Sequence, residues 1–184
     1  MNGSVSEQAQ QDIEAKNRKL EAQRQAAFEA PFLDATQDFD IEIGEMLDGV
    51  GRGRFKLDEE THTHSFVLGK TGSGKSVFLH TLLHQAMLKY SPQSLQFYLM
   101  DFKIGGVELN RYRNYPHVRA LMADQGDLKV MLEILRDLEK LMTERGRALR
   151  EAGCTKLKDY NARHSDSPMP RLVLLVDECQ ELFK

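Results

Sequence analysis

The chain has 184 residues, enough for one α/β domain with a short appendage but too few for two full domains. Hydrophobic residues make up 41% of it and charged residues 29%, as in globular proteins that pack a core. Its formal net charge is −3, so the chain lacks the strong excess of basic residues found in many nucleic-acid-binding domains.

No apolar run approaches the roughly 18–20 residues that a membrane-spanning helix requires. Residues 1–8 also lack the basic and apolar regions of a signal peptide. We therefore expect the chain to be cytoplasmic and to contain no membrane segment, so that any membrane tethering would come from other parts of a longer protein.

Residues 1–30 are rich in Ala, Gln, Glu, Lys and Arg, which favour helix. Ile13, Leu20 and Ala27 recur every seven residues, but the positions between them are largely polar, so the coiled-coil signal is weak. We predict a surface or linker helix that ends at Pro31. The alternative is the end of a longer coiled coil.

Residues 31–60 are predicted to be a β-rich lead-in. Apolar and polar residues alternate over 39–43 and 54–57, and several glycines lie between these two stretches. This pattern predicts two short strands of a hairpin or small β-flap. An α/β core would follow over residues 61–184.

The most specific pattern is the stretch 69–76, which fits G-x-x-x-x-G-K-[ST] at every fixed position. The apolar run 64–68 before it predicts a strand, and 77–88 after it has helical periodicity. Glycines let the backbone close around phosphates, and the new helix adds the positive end of its dipole. The pattern predicts a phosphate-binding loop, or P-loop, that binds nucleotide through Gly69, Lys70, Thr71, Gly72, Ser73, Gly74, Lys75, Ser76 and Val77.

Particular side chains of the P-loop have expected roles. Lys75 would reach the β- and γ-phosphates and is a catalytic candidate, while the Ser76 hydroxyl would be a ligand of Mg²⁺.

A second motif lies near residue 177. The stretch 171–178 has the character of a strand buried on both faces and ends in two carboxylates. Asp177 would bind Mg²⁺, and Glu178 would be the general base that orients an attacking water. Alternatively, both carboxylates cap the helix that follows. An Asp-Glu pair here is typical of ATP-hydrolysing motors, so we expect ATP and Mg²⁺ as cofactors.

The residues between the two motifs complete an α/β pattern. A buried strand over 95–103 ends at Asp101 and Lys103, which would lie beside the nucleotide crevice. Gly105 and Gly106 would loosen the loop after it. A third strand over 118–122 and a long amphipathic helix from about 127 to 151 follow. These elements predict a mainly parallel central sheet flanked by helices.

Several short motifs together resemble the FtsK/SpoIIIE family of motor ATPases over roughly residues 40–184. They are the P-loop, Asp101-Phe102-Lys103, Pro116-His117, Glu144-Arg145-Gly146-Arg147, Tyr160-Asn161 and the strand ending at Asp177-Glu178. The resemblance implies a RecA-like fold, a homo-oligomer that is a ring hexamer in the full-length protein, and ATP bound between subunits. A basic residue from the neighbouring subunit would complete each site; Arg145, Arg147 and Arg150 are candidates, and no motif match assigns the role to one of them.

Members of this family pump double-stranded DNA, or drive protein export in type VII secretion. We expect a DNA translocase that grips DNA without sequence preference. The alternatives are a protein-export ATPase and a nucleotide-gated switch with a coiled-coil arm. The family commonly has Asp-Pro-Lys at 101–103 and Asp-Glu-Phe-Ala-Asp at 177–181, so this chain looks like a divergent branch.

Motors of this kind normally continue beyond the Walker B strand, the one that ends at Asp177. We therefore expect the chain to be a fragment truncated after that strand, and to hydrolyse ATP poorly alone.

Overall fold

The computed structural model describes residue 18 and residues 31–46, 49–58, 60–103, 106, 108–123 and 128–183. Arg18 is helical, and the rest of the helix predicted over 1–30 lies outside the described residues. The chain divides into two compact units, residues 1–32 and 33–184. The second unit contains the P-loop and both sheets.

A β-hairpin opens the second unit, as the alternating pattern predicts. Strands β1 (Phe39–Glu45) and β2 (Arg52–Leu57) are antiparallel, with an irregularity in register between Glu42 and Gly44. Phe39 is fully buried, and its ring stacks on that of Tyr90 at a centroid distance of 5.6 Å. The hairpin is therefore packed against the core by its apolar face.

The central sheet has three parallel strands among the described residues. They are β3 (Leu95–Asp101), β4 (Val118–Met122) and β5 (Arg171–Asp177), in the order β4-β3-β5. The middle strand, β3, is buried along nearly its whole length, as expected for a parallel strand covered on both faces. It pairs with β5 in continuous register, so Asp101 and Asp177 lie side by side at the carboxyl ends.

Helices cover the two faces of this sheet. Helix α1 (Lys75–Lys89) packs with the hairpin on the face that carries Phe97 and Leu99, and α2 (Leu128–Glu151) packs on the face that carries Tyr98 and Met100. The two faces take alternate residues of β3, because successive side chains of a strand point to opposite sides. The predicted parallel sheet flanked by helices is confirmed.

A short helix, α3 (Leu157–Arg163), precedes β5. The buried amide of Asn161 donates to the carbonyl oxygen of Met169 at 2.9 Å and accepts from the Met169 N–H at 2.9 Å. This pair of hydrogen bonds ties the helix to the loop that leads into β5, and so helps to place Asp177 and Glu178.

The strand predicted over 64–68 does not form. These residues belong to neither sheet of the described part, and Phe66 and Leu68 are 72% and 80% exposed. An apolar run becomes a strand only where its backbone finds a partner, and within the described residues β5 pairs with β3 alone. Apolar composition therefore misled the prediction here. Within the described residues, no helix combines the length and apolarity needed to cross a membrane.

Candidate nucleotide-binding site

The P-loop turns sharply into α1. Gly72 and Gly74 have φ angles of 80° and 92°, in the left-handed region where glycine carries no steric penalty. The Ser73 N–H donates to the carbonyl oxygen of Lys70 at 3.0 Å and closes the turn. Helix α1 begins at Lys75, and its first N–H groups have no partner within the helix. The loop thus presents backbone donors at a positive helix end, which suits an anion.

A close approach inside the loop also favours glycine. A Cβ atom on Gly69 would collide with the hydroxyl oxygen of Ser73. The loop therefore folds back on itself more tightly than other residue types allow without movement of Ser73. Glycines that carry no side chain let a phosphate group approach the backbone of such a loop.

Lys75 joins the P-loop to the end of β5. Its ammonium lies 2.8 Å from Oε1 of Glu178 and 3.0 Å from Oδ1 of Asp177. Partial burial by itself would lower the pKa of Lys75, but the hydrogen bonds to Glu178 and Asp177 outweigh it and raise that pKa. Lys75 is therefore charged at neutral pH, and it brings the two sequence motifs together.

The two carboxylates of the second motif differ in their surroundings. Asp177 is only 3% exposed, and its Oδ1 accepts from the Glu178 N–H at 3.0 Å. Glu178 has a φ of 56°, the only non-glycine positive φ among the described residues. Such a conformation costs of order 1 kcal/mol and commonly occurs at functional sites. It turns the chain abruptly at the end of β5, into the short 3₁₀ helix Cys179–Phe183.

The Glu178 carboxylate is held ionised. Its hydrogen bond from Lys75 lowers its pKa most, and a hydrogen bond from the Gln180 amide lowers it further. An ionised carboxylate can accept a proton, which is what a general base requires.

Ser76 and Val77 follow Lys75 in the first turn of α1. Ser76 is half-buried, whereas Val77 is 69% exposed. Both lie at the helix end next to the glycine loop, so backbone N–H groups of this turn and the Ser76 hydroxyl belong to the same small region as Lys75.

Asp101 is a residue whose contacts sequence reasoning missed. It is fully buried at the end of β3, where Oδ1 accepts from the Lys103 N–H at 3.0 Å and Oδ2 from the Leu109 N–H at 3.2 Å. Both oxygens thus bind the backbone of the loop that follows. The sequence indicated a position beside the crevice, and the structure adds that Asp101 closes a loop.

A second missed feature is the ion-pair network on that loop. Glu108 accepts from Lys103 Nζ at 2.9 Å and contacts His80 Nε2 at 3.1 Å. No motif in the sequence pointed to His80 or Glu108 as part of a site. The two residues are 28 positions apart, and no local pattern joins them.

The arginines considered for a neighbouring subunit's site lie in different surroundings. Arg145 donates to the carbonyl oxygen of Pro170 at 2.8 Å, and burial lowers its pKa. Arg147 is exposed and lies 3.9 Å from Glu151, and Arg150 is exposed as well. Arg145 is therefore folded onto its own chain, and the other two lie on the outer face of α2.

The chain is similar to known proteins over most of its length, including both motifs of the site. Residues 24–180 match the model of the FtsK/SpoIIIE family. The ESX-5 secretion system protein EccC5 of Mycobacterium marinum is 33% identical over 178 residues, which cover 80% of this chain and 13% of that protein. The DNA translocase FtsK of Leptospira interrogans is 31% identical over 158 residues, covering 82% of this chain and 16% of that protein.

Solved structures give the same result. The cytoplasmic domain of the Thermomonospora curvata type VII secretion ATPase EccC has a TM-score of 0.68 at 27% identity, over 83% of this chain and 18% of that one. The pCW3 conjugation coupling protein TcpA, in its monomer form with ATPγS, has a TM-score of 0.62 at 26% identity. This match covers 85% of the present chain and 42% of the TcpA chain. These likenesses confirm the RecA-like α/β fold.

The chain thus spans less than a fifth of the length of the two protein relatives described above. The family model covers most of the chain, including the P-loop and the strand that ends at Asp177. The chain therefore belongs to the FtsK/SpoIIIE family and is an ATPase domain of that family.

Proposed function

We propose that this chain binds Mg-ATP and hydrolyses it as the motor domain of a larger bacterial protein that acts in the cytoplasm. The observation that carries the proposal is the contact of Lys75 with both Asp177 and Glu178. This contact brings a phosphate-binding lysine and two carboxylates into one site, although they are about 100 residues apart in the sequence.

Each residue of the site has a proposed role. The backbone N–H groups of residues 69–77 hold the phosphates, and Lys75 moves its ammonium from the carboxylates to the β- and γ-phosphates. Ser76 and Asp177 are oxygen ligands suited to Mg²⁺. Glu178 orients a water and accepts its proton. Bound Mg-ATP supplies the phosphoanhydride bond and a cation that neutralises charge on its phosphate oxygens.

Equilibrium binding of ATP to the 184-residue chain tests the site. Titration calorimetry with and without Mg²⁺ would compare the wild type with Asp177→Asn, and with the half-exposed Asp137→Asn as a matched control. We expect Mg²⁺ to tighten ATP binding to the wild type and the control but to have little effect on Asp177→Asn. Equal tightening in all three proteins would contradict a metal-binding role for Asp177.

For cargo, we now favour protein export, which was the alternative in the sequence analysis, over the DNA translocation expected there. The net charge of −3 gives little general attraction to DNA phosphates. Of the three arginines near the end of α2, Arg147 and Arg150 are exposed, but Arg145 is turned onto Pro170 rather than outward. The likeness to an ESX-5 secretion protein, and to a type VII secretion ATPase structure, supports the same choice.

DNA translocation is the second candidate, supported by the likeness to a DNA translocase FtsK. Binding of long double-stranded DNA at about 50 and 200 mM salt distinguishes the two. A DNA motor that contacts several phosphates would lose affinity by orders of magnitude over this range. We expect weak binding at both concentrations. Tight, salt-sensitive binding by the full-length protein, together with DNA-stimulated hydrolysis, would overturn our choice.

We also expect the full-length protein to act as a homo-oligomer, a ring hexamer in the simplest case. Analytical ultracentrifugation of that protein with and without ATP would show whether it assembles.

A further inference from the structure

The chain that leaves β3 runs alongside the carboxylates of the nucleotide site. Asp101 and Asp177 are register partners, and the Phe102 N–H donates to the Asp177 carbonyl oxygen at 3.2 Å. The backbone after β3 is therefore attached to the residue that immediately precedes Glu178. Lys103 is the first charged side chain along this path.

The loop that carries Lys103 is held at several points. Asp101 accepts hydrogen bonds from the N–H groups of Lys103 and Leu109, so one buried carboxylate holds two separate points of this loop. Gly106 in this loop has a φ of 52°, and a Cβ there would collide with the carbonyl oxygen of Ala123. The sequence predicted that glycine would loosen the loop at this point. The structure instead places Gly106 in close contact with the end of β4, and Gly105 lies outside the described residues.

Glu108 fixes the direction of the Lys103 side chain. One carboxylate oxygen accepts from Lys103 Nζ at 2.9 Å, and the other lies 3.1 Å from His80 Nε2. His80 belongs to α1, the helix that begins at Lys75, and its Nδ1 lies 2.9 Å from the Tyr112 hydroxyl. The three side chains of Lys103, Glu108 and His80 therefore connect the loop after β3 to the P-loop helix.

We propose that Lys103 is a positioning residue of the nucleotide site, a second cation after Lys75 whose charge acts on the Asp177 and Glu178 carboxylates from the loop attached to the end of β5. Glu108, itself held by His80, sets where the Lys103 ammonium lies. This inference rests on the proposed function, because the role of Lys103 is exerted on the residues that bind and hydrolyse ATP.

Electrostatics agree with the geometry. The hydrogen bond to Glu108 raises the pKa of Lys103 most, and the charges of Asp177 and Asp101 add to that effect. The positive charge of Lys103 likewise contributes to the lowered pKa of Glu178, after the larger effects of Lys75 and Gln180. Lys75 must leave the carboxylates to reach phosphates, and Lys103 keeps a positive charge beside them when it does.

The test compares Mg-ATP affinity by calorimetry among Lys103→Met, Lys103→Arg, Glu108→Gln and the double variant Lys103→Met/Glu108→Gln. Lys140→Met, an exposed lysine on α2, is the matched control, and thermal unfolding checks that each variant folds. We expect Lys103→Met to weaken binding about fivefold, the upper range for a partly exposed charge interaction. Lys103→Arg and Lys140→Met should stay within about twofold of the wild type.

Glu108→Gln should weaken binding by about two- to threefold. The double variant should bind no more weakly than Lys103→Met alone, because Glu108 acts through Lys103. A merely structural role for Glu108 would instead give additive losses, matched by losses in thermal stability.

The possible failures are distinguishable. If Lys103→Met binds Mg-ATP as tightly as the wild type while Lys75→Met loses binding, the positioning role is wrong and the nucleotide site stands. If the wild type itself does not bind Mg-ATP, both proposals are wrong. Equal weakening by Lys103→Met and Lys103→Arg would also overturn the inference, because the charge would then not be what matters.

Discussion

The ammonium of Lys75 lies 2.8 Å from Oε1 of Glu178, a residue 103 positions further along the chain. The same ammonium is 3.0 Å from Asp177, whose side chain is almost fully buried. One lysine thus neutralises charge at the end of β5 and stands at the start of the P-loop helix. Its position makes it the most informative residue to change.

Lys75→Met should weaken binding of Mg-ATP by about 10- to 100-fold, because a hydrogen bond between charged groups contributes about 1.5–3 kcal/mol. Titration calorimetry measures this directly. Loss of the cation also removes the one ion pair that the described part of the chain gives the buried Asp177, so the melting temperature should fall. Lys140→Met should change neither quantity, and an affinity for Mg-ATP unaltered by Lys75→Met would contradict the assignment.

Glu178→Gln should keep Mg-ATP affinity within about threefold but slow hydrolysis by about 100- to 10,000-fold, since the amide cannot accept the proton of the attacking water. Single-turnover assays with protein in excess over ATP suit a domain that turns over slowly. Glu151→Gln, at an exposed position of α2, is the control. Hydrolysis by Glu178→Gln at the wild-type rate would show that another group is the base.

His117 should make the stability depend on pH near neutrality. It is only 4% exposed, its Nε2 donates to the Tyr90 carbonyl oxygen at 2.8 Å, and its Nδ1 has no hydrogen-bond partner in the described part of the chain. Burial lowers its pKa below the usual 6.5. As the pH falls below about 6.5, His117 is protonated in the unfolded chain before it is protonated in the folded protein. The free energy of unfolding therefore decreases in this pH range.

Denaturant unfolding between pH 7.5 and 5.5 checks this effect. The free energy of unfolding should fall with decreasing pH by up to about 1.4 kcal/mol per pH unit from this residue. His117→Gln should remove that part of the slope, and the exposed His64→Gln should not. Identical slopes in the wild type and His117→Gln would mean that the buried ring titrates normally.

Gly106→Ala should destabilise the protein more than Gly153→Ala does. Both glycines have left-handed backbone, with φ of 52° and 62°, but a Cβ on Gly153 meets no atom within 4 Å. Gly153→Ala should cost about 1 kcal/mol for the backbone conformation alone. Gly106→Ala should cost about 1–3 kcal/mol more, because the Ala123 carbonyl group must move. Equal free energies of unfolding for the two variants would show that the close approach has no cost.

Much of the fold could be predicted from local patterns. Strand β4 and helix α2 lie where the apolar periodicity indicated, and the described part of α2 spans Leu128–Glu151. Helix α1 was predicted over residues 77–88 and spans Lys75–Lys89. These elements are predictable because the apolar residues of a buried face repeat every two residues in a strand and about every 3.6 residues in a helix.

The rest depends on contacts between distant residues. The apolar run 64–68 has the composition of a strand, but pairing decides whether a strand forms, and composition does not report pairing. The Lys103–Glu108–His80 network and the closing of the loop by Asp101 arise only when β3, α1 and the intervening loop meet. The P-loop motif indicated which residues form the site because its glycines and lysine are required locally. The residues that lie near the P-loop only in the folded chain, such as Lys103 and Glu108, have no comparable local motif.

A crystal structure of the chain with Mg²⁺ and a non-hydrolysable ATP analogue is the most direct test of the central claim, that residues 69–77 with Asp177 and Glu178 form one Mg-ATP site. Our account predicts the analogue's phosphates in the loop 69–76, with the Lys75 ammonium moved from Glu178 to the phosphates. It also predicts the metal at Ser76 and on the Asp177 side of the site. An analogue bound elsewhere, or Lys75 still paired with both carboxylates beside a bound analogue, would contradict it.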